Sequence, residues 1–191
     1  MKSNEVIKDA NDAMERLCNL LRMEARAFGL KHGLQPVQME ALRYLTQCNR
    51  YSDTPQAVGE YLGLTKGTVS QSLMALERKE LLTKQPDKQD KRLVHLTPTL
   101  QGIKLAMKAV QAKDLGPALA IKNSVTATEL TEILQSVLRG MQEINGRKVF
   151  GACHTCRFHE KHSQGSAYGL THELLSEEDG QLLCREHQYP K

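Results

Sequence analysis

One stretch near the middle of the chain constrains the fold more than any other part of the sequence. Thr54, which is followed by proline, and Thr65 are helix-start signals, because a threonine hydroxyl accepts hydrogen bonds from the first backbone N–H groups of a helix. Gly63 lies between the two helices that these threonines begin. A strand from Leu82, a polar turn and a second strand from Arg92 follow, and they predict a β-hairpin. The stretch therefore predicts a short helix, a turn, a second helix and a hairpin.

Further helices are predicted on both sides of this stretch, because apolar residues recur there at spacings of three and four positions. They are predicted over residues 3–31, from Pro36, from Thr97-Pro98 to about residue 113, and from the capping box of Thr126 and Glu129 to Gly146. A break is predicted at residues 115–117, after which the helical pattern can resume through residues 118–122. The whole order predicts a mainly α-helical fold with a small β-hairpin wing, which is the layout of a winged helix-turn-helix.

Composition excludes several classes of protein. The chain has 191 residues, of which 40% are hydrophobic, and this is enough for one compact domain with an appendage. The charged amino terminus lacks the apolar segment of a secretion signal, and no apolar run approaches the roughly 18 residues that a membrane span needs. Five cysteines, an odd number, favour a reducing cytoplasm. The net charge of +4 permits nucleic acid as a partner, whereas 4% aromatic residues argue against stacking on single-stranded bases.

The second helix of the central stretch is expected to turn a polar face outward. Its apolar stripe consists of Val69, Leu73 and Leu76, so the side chains of the opposite face are free to contact a partner. Such a helix fits the major groove of double-stranded DNA, where glutamine can pair with adenine and lysine can reach guanine or phosphate. The predicted base-facing residues are Lys66, Thr68, Ser70 and Gln71.

The hairpin adds positive charge beside this helix. Asp90 stands two residues before Arg92 and can hold its guanidinium in one orientation through a charge-assisted hydrogen bond. A polar helix face or a basic turn is, taken alone, more often only a solvated surface. Here the cap, the turn, the outer face and the hairpin occur together in the required order. The residues predicted to lie at the tip of the hairpin and to contact phosphate or the minor groove are Lys84, Lys88, Lys91 and Arg92.

Three segments carry a resemblance to a known family. LQPVQMEALRYL, AVGEYLGLTKGTVSQSLMALERKELL and DKQDKRLVHLTPTLQG resemble the MarR family of winged-helix transcriptional regulators. The resemblance covers roughly residues 5–146 and is most specific at Asp90-x-Arg92 and the strand that follows. It implies an obligate homodimer that binds pseudo-palindromic DNA, most simply as a repressor. It also implies dimerisation through helices at about residues 3–31 and 126–146.

The resemblance also implies roles for individual residues. Carried over by position, Lys66, Thr68, Ser70 and Gln71 would face bases, and Arg92 would reach into the minor groove. The family often binds a small-molecule effector between the dimerisation helices and the DNA-binding domain, but no residue of this sequence specifies one.

The last part of the chain carries a different pattern. Cys153 and Cys156 form a C-x2-C pair, and Cys184 and His187 form a C-x2-H pair after 27 intervening residues. Each pair lets one turn present two ligands, and three thiolates with one imidazole make the closed tetrahedral set of a structural zinc site. Few apolar side chains lie in this tail, so a bound zinc ion would supply the stability that its core lacks. A closed set leaves no position for a catalytic water.

Other interpretations of the tail stay open. The thiols could form a redox dithiol, stay inert, or hold an iron–sulfur cluster, although such clusters prefer four cysteines. The Cys/His site would then be a metal or redox switch of DNA affinity, or the tail would be a protein-interaction module. His159, His162 and His172 are further ligand candidates, and Cys18 and Cys48 are expected to be small core residues. No nucleophile-and-base constellation or phosphate-binding glycine loop is present, so the chain is predicted not to be an enzyme.

The sequence thus predicts four regions. They are an amino-terminal dimerisation helix at 1–33, a winged helix-turn-helix DNA-binding domain at 34–113, carboxy-terminal dimerisation helices at 114–147 and a zinc-knuckle-like Cys/His tail at 148–191.

Overall fold

The computed structural model describes residues 2–109, 115–122, 126–162 and 165–190. The first part of the chain contains α1 (Lys2–Lys31), α2 (Pro36–Leu45), α3 (Pro55–Leu62), α4 (Lys66–Arg78), β1 (Leu82–Pro86), β2 (Val94–Pro98), α5 (Leu100–Ala109), α6 (Leu115–Lys122) and α7 (Ala127–Ile144). The tail contains β3 (Gly151–Ala152), β4 (His159–His162), β5 (Gly165–Tyr168), β6 (Glu173–Leu175), α8 (Glu177–Gln181) and β7 (Leu183–Cys184). None of the described helices is both long and apolar enough to cross a membrane.

The helix-turn-helix begins where the sequence predicts it. The hydroxyl of Thr54 accepts a hydrogen bond from the backbone N–H of Ala57 at 3.2 Å, and the hydroxyl of Thr65 accepts one from Thr68 at 3.3 Å. Gly63 ends α3 with φ 66°, a left-handed conformation that favours glycine. The capping box of the last long helix is also formed, since Thr126 and the residue three positions later bond each other's backbone N–H groups.

Two predicted boundaries are wrong. The second strand begins at Val94, because the backbone N–H of Arg92 donates to the Asp90 carboxylate and so belongs to the turn. The next helix begins at Leu100, because Pro98 still pairs with β1 and Thr99 supplies the cap instead. The predicted end of that helix near residue 113 lies outside the described residues.

The predicted break at residues 115–117 is also wrong. α6 includes these residues, because a proline within the first turn of a helix lacks only an N–H that would have no intrahelical partner.

The main core lies between the helix-turn-helix, the hairpin and the neighbouring helices. Its most completely buried large side chains come from the loop before α2, from α2 to α4 and from both hairpin strands, and they are Leu34, Leu42, Tyr44, Val58, Leu73, Leu76, Leu82 and Leu96. β1 and β2 pair antiparallel directly after α4, with Leu82 opposite Pro98. The hairpin is therefore packed on the same core as the helix before it.

The tail adds two small antiparallel sheets to this body. One pairs β3 with β7, and the other has the strand order β4-β5-β6. The tail begins with Phe150, which belongs to the main core and lies 5.2 Å from the ring of Tyr61 and 5.9 Å from the ring of Tyr44, measured between ring centres. Phe150 therefore anchors the start of the tail on α2 and α3.

The two longest helices keep an apolar face in solvent. α7 contains no buried residue, although Ile133, Leu134 and Leu138 lie along one side of it. α1 likewise exposes Val6, Ile7, Leu17, Leu20, Leu21 and Met23. Among the described residues, the apolar faces of these helices do not pack on their own domain. Large exposed apolar faces of this kind favour a partner surface. Cys18 on α1 is exposed, so its prediction as a core residue is wrong for the single chain, whereas Cys48 is buried as predicted.

We expect Leu134→Glu to convert a dimer into a monomer, because it places a carboxylate at the centre of the apolar face of α7. Gln135→Glu is the matched control, since it adds the same charge to the adjacent position of the same helix. Sedimentation equilibrium of both variants measures the mass. A wild-type chain that sediments as a monomer, or a dimer that survives Leu134→Glu, would contradict the assignment of this face to dimerisation.

Candidate nucleic-acid interface

The helix α4 turns the predicted base-facing residues outward. Its inner stripe is buried, with Val69 at 3%, Leu73 at 2% and Leu76 at 0% exposure. Ser72, also on the inner side, satisfies its hydroxyl by donating to the backbone carbonyl of Thr68 at 2.8 Å. The side chains of Lys66, Thr68, Ser70 and Gln71 are all exposed on the other side.

Thr68 has a second role at the start of α4. Its hydroxyl lies 3.0 Å from the hydroxyl of Thr65, and its own backbone N–H completes the cap. The backbone N–H groups of this helix start carry the partial positive charge of the helix dipole, which suits a phosphate oxygen.

The hairpin turn holds Arg92 in the way that the sequence predicts. Its Nε and Nη2 donate to the two carboxylate oxygens of Asp90, each at 2.9 Å, and the same contacts lower the pKa of Asp90. The turn itself is built on Asp87, whose carboxylate accepts hydrogen bonds from the backbone N–H groups of Asp90 and Gln89, each at 2.7 Å. These bonds lower the pKa of Asp87 to about 2. The Arg92 side chain is 91% exposed and so stays available to a partner.

The structure corrects the placement of Lys84. This residue lies within β1, opposite Leu96, and not at the tip of the hairpin. Its ammonium group pairs with the carboxylate of Glu77 on α4 at 2.6 Å, so Lys84 ties the hairpin to the helix. Lys88 and Lys91 occupy the exposed tip as predicted.

A groove of about 730 Å³ separates α3, α4 and the hairpin. Four of the eight predicted contact residues line it, namely Lys66, Ser70, Lys84 and Arg92. Thr68, Gln71, Lys88 and Lys91 do not line the groove. Glu60 of α3 is an acidic member of the lining. The helix and the hairpin therefore place three cationic side chains, Lys66, Lys84 and Arg92, along a groove that is otherwise lined mainly by apolar and neutral residues.

His95 is a residue of this region that sequence reasoning missed. Its Nδ1 lies 2.6 Å from a carboxylate oxygen of Asp53, and its Nε2 lies 3.2 Å from one of Asp87. The imidazole thus connects the loop before α3 to the base of the turn. The hydrogen bond to Asp53 raises the pKa of His95, while burial raises the pKa of Asp53. No local pattern signals this contact, because its partners are 42 and 8 residues away.

The tail places its thiols in a small core of their own. Cys153 and Cys184 are buried with Tyr168 and Leu175, and Cys156 is 4% exposed. The hydroxyl of Tyr168 lies 3.8 Å from the sulfur of Cys184, and the backbone N–H of Gln188 donates to the sulfur of Cys156 at 3.4 Å. Burial raises the pKa of the Cys153 thiol to about 11, with the neighbouring Cys184 and Cys156 adding to the effect.

The predicted fourth ligand has different neighbours. The Nε2 atom of His187 lies 2.9 Å from the hydroxyl of Thr155, and its ring packs edge-on against Tyr189. Its Nδ1 atom is buried without a hydrogen-bond partner. Burial lowers the pKa of His187 and so favours the neutral imidazole.

The chemistry of these residues fits a metal ion, but their positions do not. Three thiols and a neutral imidazole with an unsatisfied buried nitrogen are the donor chemistry that zinc takes. Cys153 and Cys184 share a small core, but no three His, Cys, Asp or Glu side chains of the described residues are grouped so that they could hold a metal ion. The predicted set of Cys153, Cys156, Cys184 and His187 therefore stays a prediction.

We expect the stabilising contribution of His95 to fall as the pH rises. Because its pKa is raised in the folded state, the contribution is fully present below the ordinary histidine pKa of about 6.5 and is lost as the pH rises through the higher folded value. His95→Gln should therefore lower the free energy of unfolding at pH 6, by about 1 kcal/mol for a half-buried pair, and by a smaller amount at pH 9.

Urea unfolding at both pH values measures this difference. His32→Gln is the control, because His32 is exposed and lies beside Phe28 instead of a carboxylate. A His95→Gln effect that is equal at the two pH values would show that the charged pair contributes nothing.

Comparisons with known proteins identify the central region. Residues 32–93 match the model of the MarR family. A comparison with curated proteins gives no match. The matched family consists of non-enzymatic DNA-binding transcription regulators, which agrees with the prediction that the chain is not an enzyme.

Solved structures extend the likeness at the level of the fold. A MarR transcriptional regulator from Methanosarcina mazei Go1 has 19% sequence identity and a TM-score of 0.58, and the match covers 72% of this chain and 99% of that one. The transcription regulator MarR from Oenococcus oeni PSU-1 has 19% identity and a TM-score of 0.52, with 70% and 98% covered. CouR from Rhodococcus jostii RHA1, solved with p-coumaroyl-CoA, has 16% identity and a TM-score of 0.53, with 71% and 91% covered.

Those structures are matched over nearly their whole length, whereas part of this chain has no counterpart in them. At such identities the likeness concerns the fold alone. Residues 32–93 match the MarR-family model, and the chain has the mainly helical winged-helix fold seen in MarR regulators, with a small β-hairpin wing.

Proposed function

We propose that this protein is a cytoplasmic, sequence-specific DNA-binding transcriptional regulator that acts as a homodimer on a pseudo-palindromic operator, most simply as a repressor. The observation that carries the proposal is the groove between α3, α4 and the hairpin, where a capped helix with an exposed polar face lies beside an oriented arginine. Two copies of α4, related by a twofold axis, would read two half-sites one helical turn apart.

The two parts of the interface would do different work. α4 would enter the major groove, where Gln71 and Lys66 can bond base edges, and its helix start would face a phosphate. The hairpin would follow the backbone, with Arg92 in the adjacent minor groove and the lysines of the tip on phosphates. Contacts of the second kind are sequence-independent and should make the affinity fall with salt.

The dimer supplies what the single chain lacks. The exposed apolar faces of α1 and α7 would form the shared core that joins two DNA-binding domains. A small-molecule effector stays a prediction from the family resemblance.

Arg92→Ala and Gln71→Ala should each weaken binding to the operator about tenfold, because each removes a contact worth roughly 1 to 3 kcal/mol. Double-stranded DNA selected from a random-sequence library by the wild-type protein serves as the operator, and fluorescence anisotropy measures the affinity. Arg92→Ala should also lower the slope of affinity against salt by about one, since it removes one cationic contact.

Arg78→Ala is the matched control for charge, because Arg78 is exposed at the opposite end of α4. Unchanged melting temperatures would separate lost contacts from lost folding. If neither variant weakens binding, the assignment of DNA contacts fails; if the wild type selects no sequence at all, the proposed function fails.

A second proposal concerns the tail. We propose that Cys153, Cys156 and Cys184, with His187 as the fourth ligand, hold one structural zinc ion, with an iron–sulfur cluster as the alternative. The chemistry and burial of the thiols support this, and so does the unsatisfied nitrogen of His187. A bound metal would couple the tail to the DNA-binding domain that it touches.

Protein purified without added metal should contain one zinc per chain by elemental mass spectrometry, and Cys184→Ser should lose it, because a buried thiolate ligand is removed. Cys18→Ser is the control, since Cys18 is exposed on α1, and it should keep the metal. If the protein instead contains iron and absorbs visible light, the bound group is an iron–sulfur cluster and not zinc. Protein without metal, or Cys184→Ser protein that retains it, would contradict the site.

A further inference from the structure

The tail is packed against the loop between α2 and α3, which leads directly into the helix-turn-helix. The backbone N–H of Leu183 donates to the carbonyl of Gln47 at 2.8 Å, and the carbonyl of Leu183 accepts from the N–H of Asn49 at 2.9 Å. Cys48 and Leu183 therefore form a parallel β-bridge. A single residue of the tail thus satisfies two backbone groups of a partly buried loop, and such groups are costly to leave without a partner.

Buried polar side chains of the same loop also depend on the tail. Ser52 is completely buried, and its hydroxyl donates to the side chain of Asn49 at 2.7 Å while it accepts from the backbone N–H of Arg185 at 2.8 Å. Tyr51 stacks on Tyr168, with the ring centres 4.6 Å apart. The loop therefore has a polar and an aromatic contact with the tail in addition to the β-bridge.

The side chain of Arg185 extends this contact to α3. Its Nε and Nη2 donate to the two carboxylate oxygens of Glu60 at 2.6 Å and 2.7 Å, a bidentate pair. The side chains are only 21% and 29% exposed, so solvent screens this pair less than it screens a surface ion pair. Nη1 of Arg185 donates to Glu186 at 2.6 Å and so keeps the guanidinium fixed from the tail side.

Glu60 is the acidic residue that lines the groove beside Lys66 and Arg92. DNA phosphates that enter this groove would be repelled by a free carboxylate, and the guanidinium of Arg185 neutralises it. α3 also packs on α4 and so supports the helix that faces the bases. Both the charge of the groove edge and the position of α3 therefore depend on a residue that lies 125 positions away in the sequence.

We propose that the tail is a built-in brace of the DNA-reading unit and that Arg185 is its positioning residue, whose side chain holds α3 through Glu60 and whose backbone N–H bonds Ser52 of the α2–α3 loop. The inference rests on the proposed DNA-binding function and deepens it, since it makes operator affinity depend on how firmly the tail is docked. Arg185 itself touches no DNA in this account.

The experiment is a double-mutant cycle on the full-length chain. Arg185→Ala and Glu60→Ala are compared singly and together for affinity to the selected operator duplex. Arg185→Ala should weaken binding about tenfold. The double variant should bind better than Arg185→Ala, because the unpaired carboxylate has gone, and residues in direct contact give such non-additive effects. Arg147→Ala is the matched control: it removes the same charge near the tail from an exposed side chain that has no described hydrogen bond or ion pair, and its affinity should be unchanged.

A second measurement does not depend on DNA. Hydrogen exchange followed by mass spectrometry reports the protection of peptides that contain Asn49 and Leu183, whose amides bond across the docking contact. Arg185→Ala should raise exchange in both peptides while peptides from α5 stay as protected as in the wild type. Arg185→Lys keeps the charge but not the bidentate pair, and it should restore only part of the affinity.

The outcomes separate the two proposals. A wild-type protein that selects no operator removes the proposed function, and exchange then tests the docking alone. If the wild-type protein binds its operator and Arg185→Ala has the same affinity and the same hydrogen exchange as the wild type, the brace is overturned. If Arg185→Ala loses protection from hydrogen exchange throughout the chain, the variant has lost its fold, and Glu60→Ala becomes the deciding variant. Glu60→Ala changes α3 and not the tail, and it should raise exchange in the same two peptides. Unchanged exchange in Glu60→Ala also overturns the brace.

Discussion

The apolar underside of α4 is the constraint on which the rest of the molecule depends. Val69, Leu73 and Leu76 are all nearly or fully buried, and each such side chain contributes on the order of 1.5 to 3 kcal/mol relative to an exposed one. A helix held in this way can turn only one face to solvent, so its polar face has a defined direction. Leu82 continues the same core only a few residues later and starts the hairpin. The helix and the wing thus share one rigid support, and their relative position needs no partner.

The tail and α7 differ in how they contact this core. The tail joins the core directly, through Phe150 against Tyr61 and through the β-bridge of Leu183 to the α2–α3 loop. α7 joins it hardly at all, since none of its residues is buried. The apolar face of α7 is therefore exposed in the described part of the chain, whereas the tail is packed on the core. This difference is what the proposed homodimer requires, namely an exposed face on α7 for the second copy and a tail that belongs to its own chain.

The sequence predicted those features whose signals are local. Caps, turns and apolar periodicity located α1 to α4, the hairpin and the box at Thr126 within a few residues, and the Asp90–Arg92 pair followed from a spacing of two. The errors at Pro98 and at residues 115–117 arose because proline permits both a strand end and a first helical turn, and local chemistry does not choose between them. His95 and Arg185 were missed for a different reason: their carboxylate partners lie 42 and 125 residues away, and only the folded chain brings them together.

The tail lies between two helices of the body, α3 and α7, and contacts both of them. On one side Arg185 pairs with Glu60 of α3. On the other side the guanidinium carbon of Arg139 on α7 lies 3.5 Å from the centre of the Tyr189 ring, a cation–π contact. Contact alone does not couple two sites; coupling requires an element with two states that both sites bias. In the proposed account, the small core of Cys153, Tyr168, Leu175 and Cys184 would be this element, because only a few buried side chains hold it together. If the proposed zinc ion is bound, it would stabilise that core and the contact of Arg185 with α3, and it would thereby act on the proposed operator affinity without touching DNA.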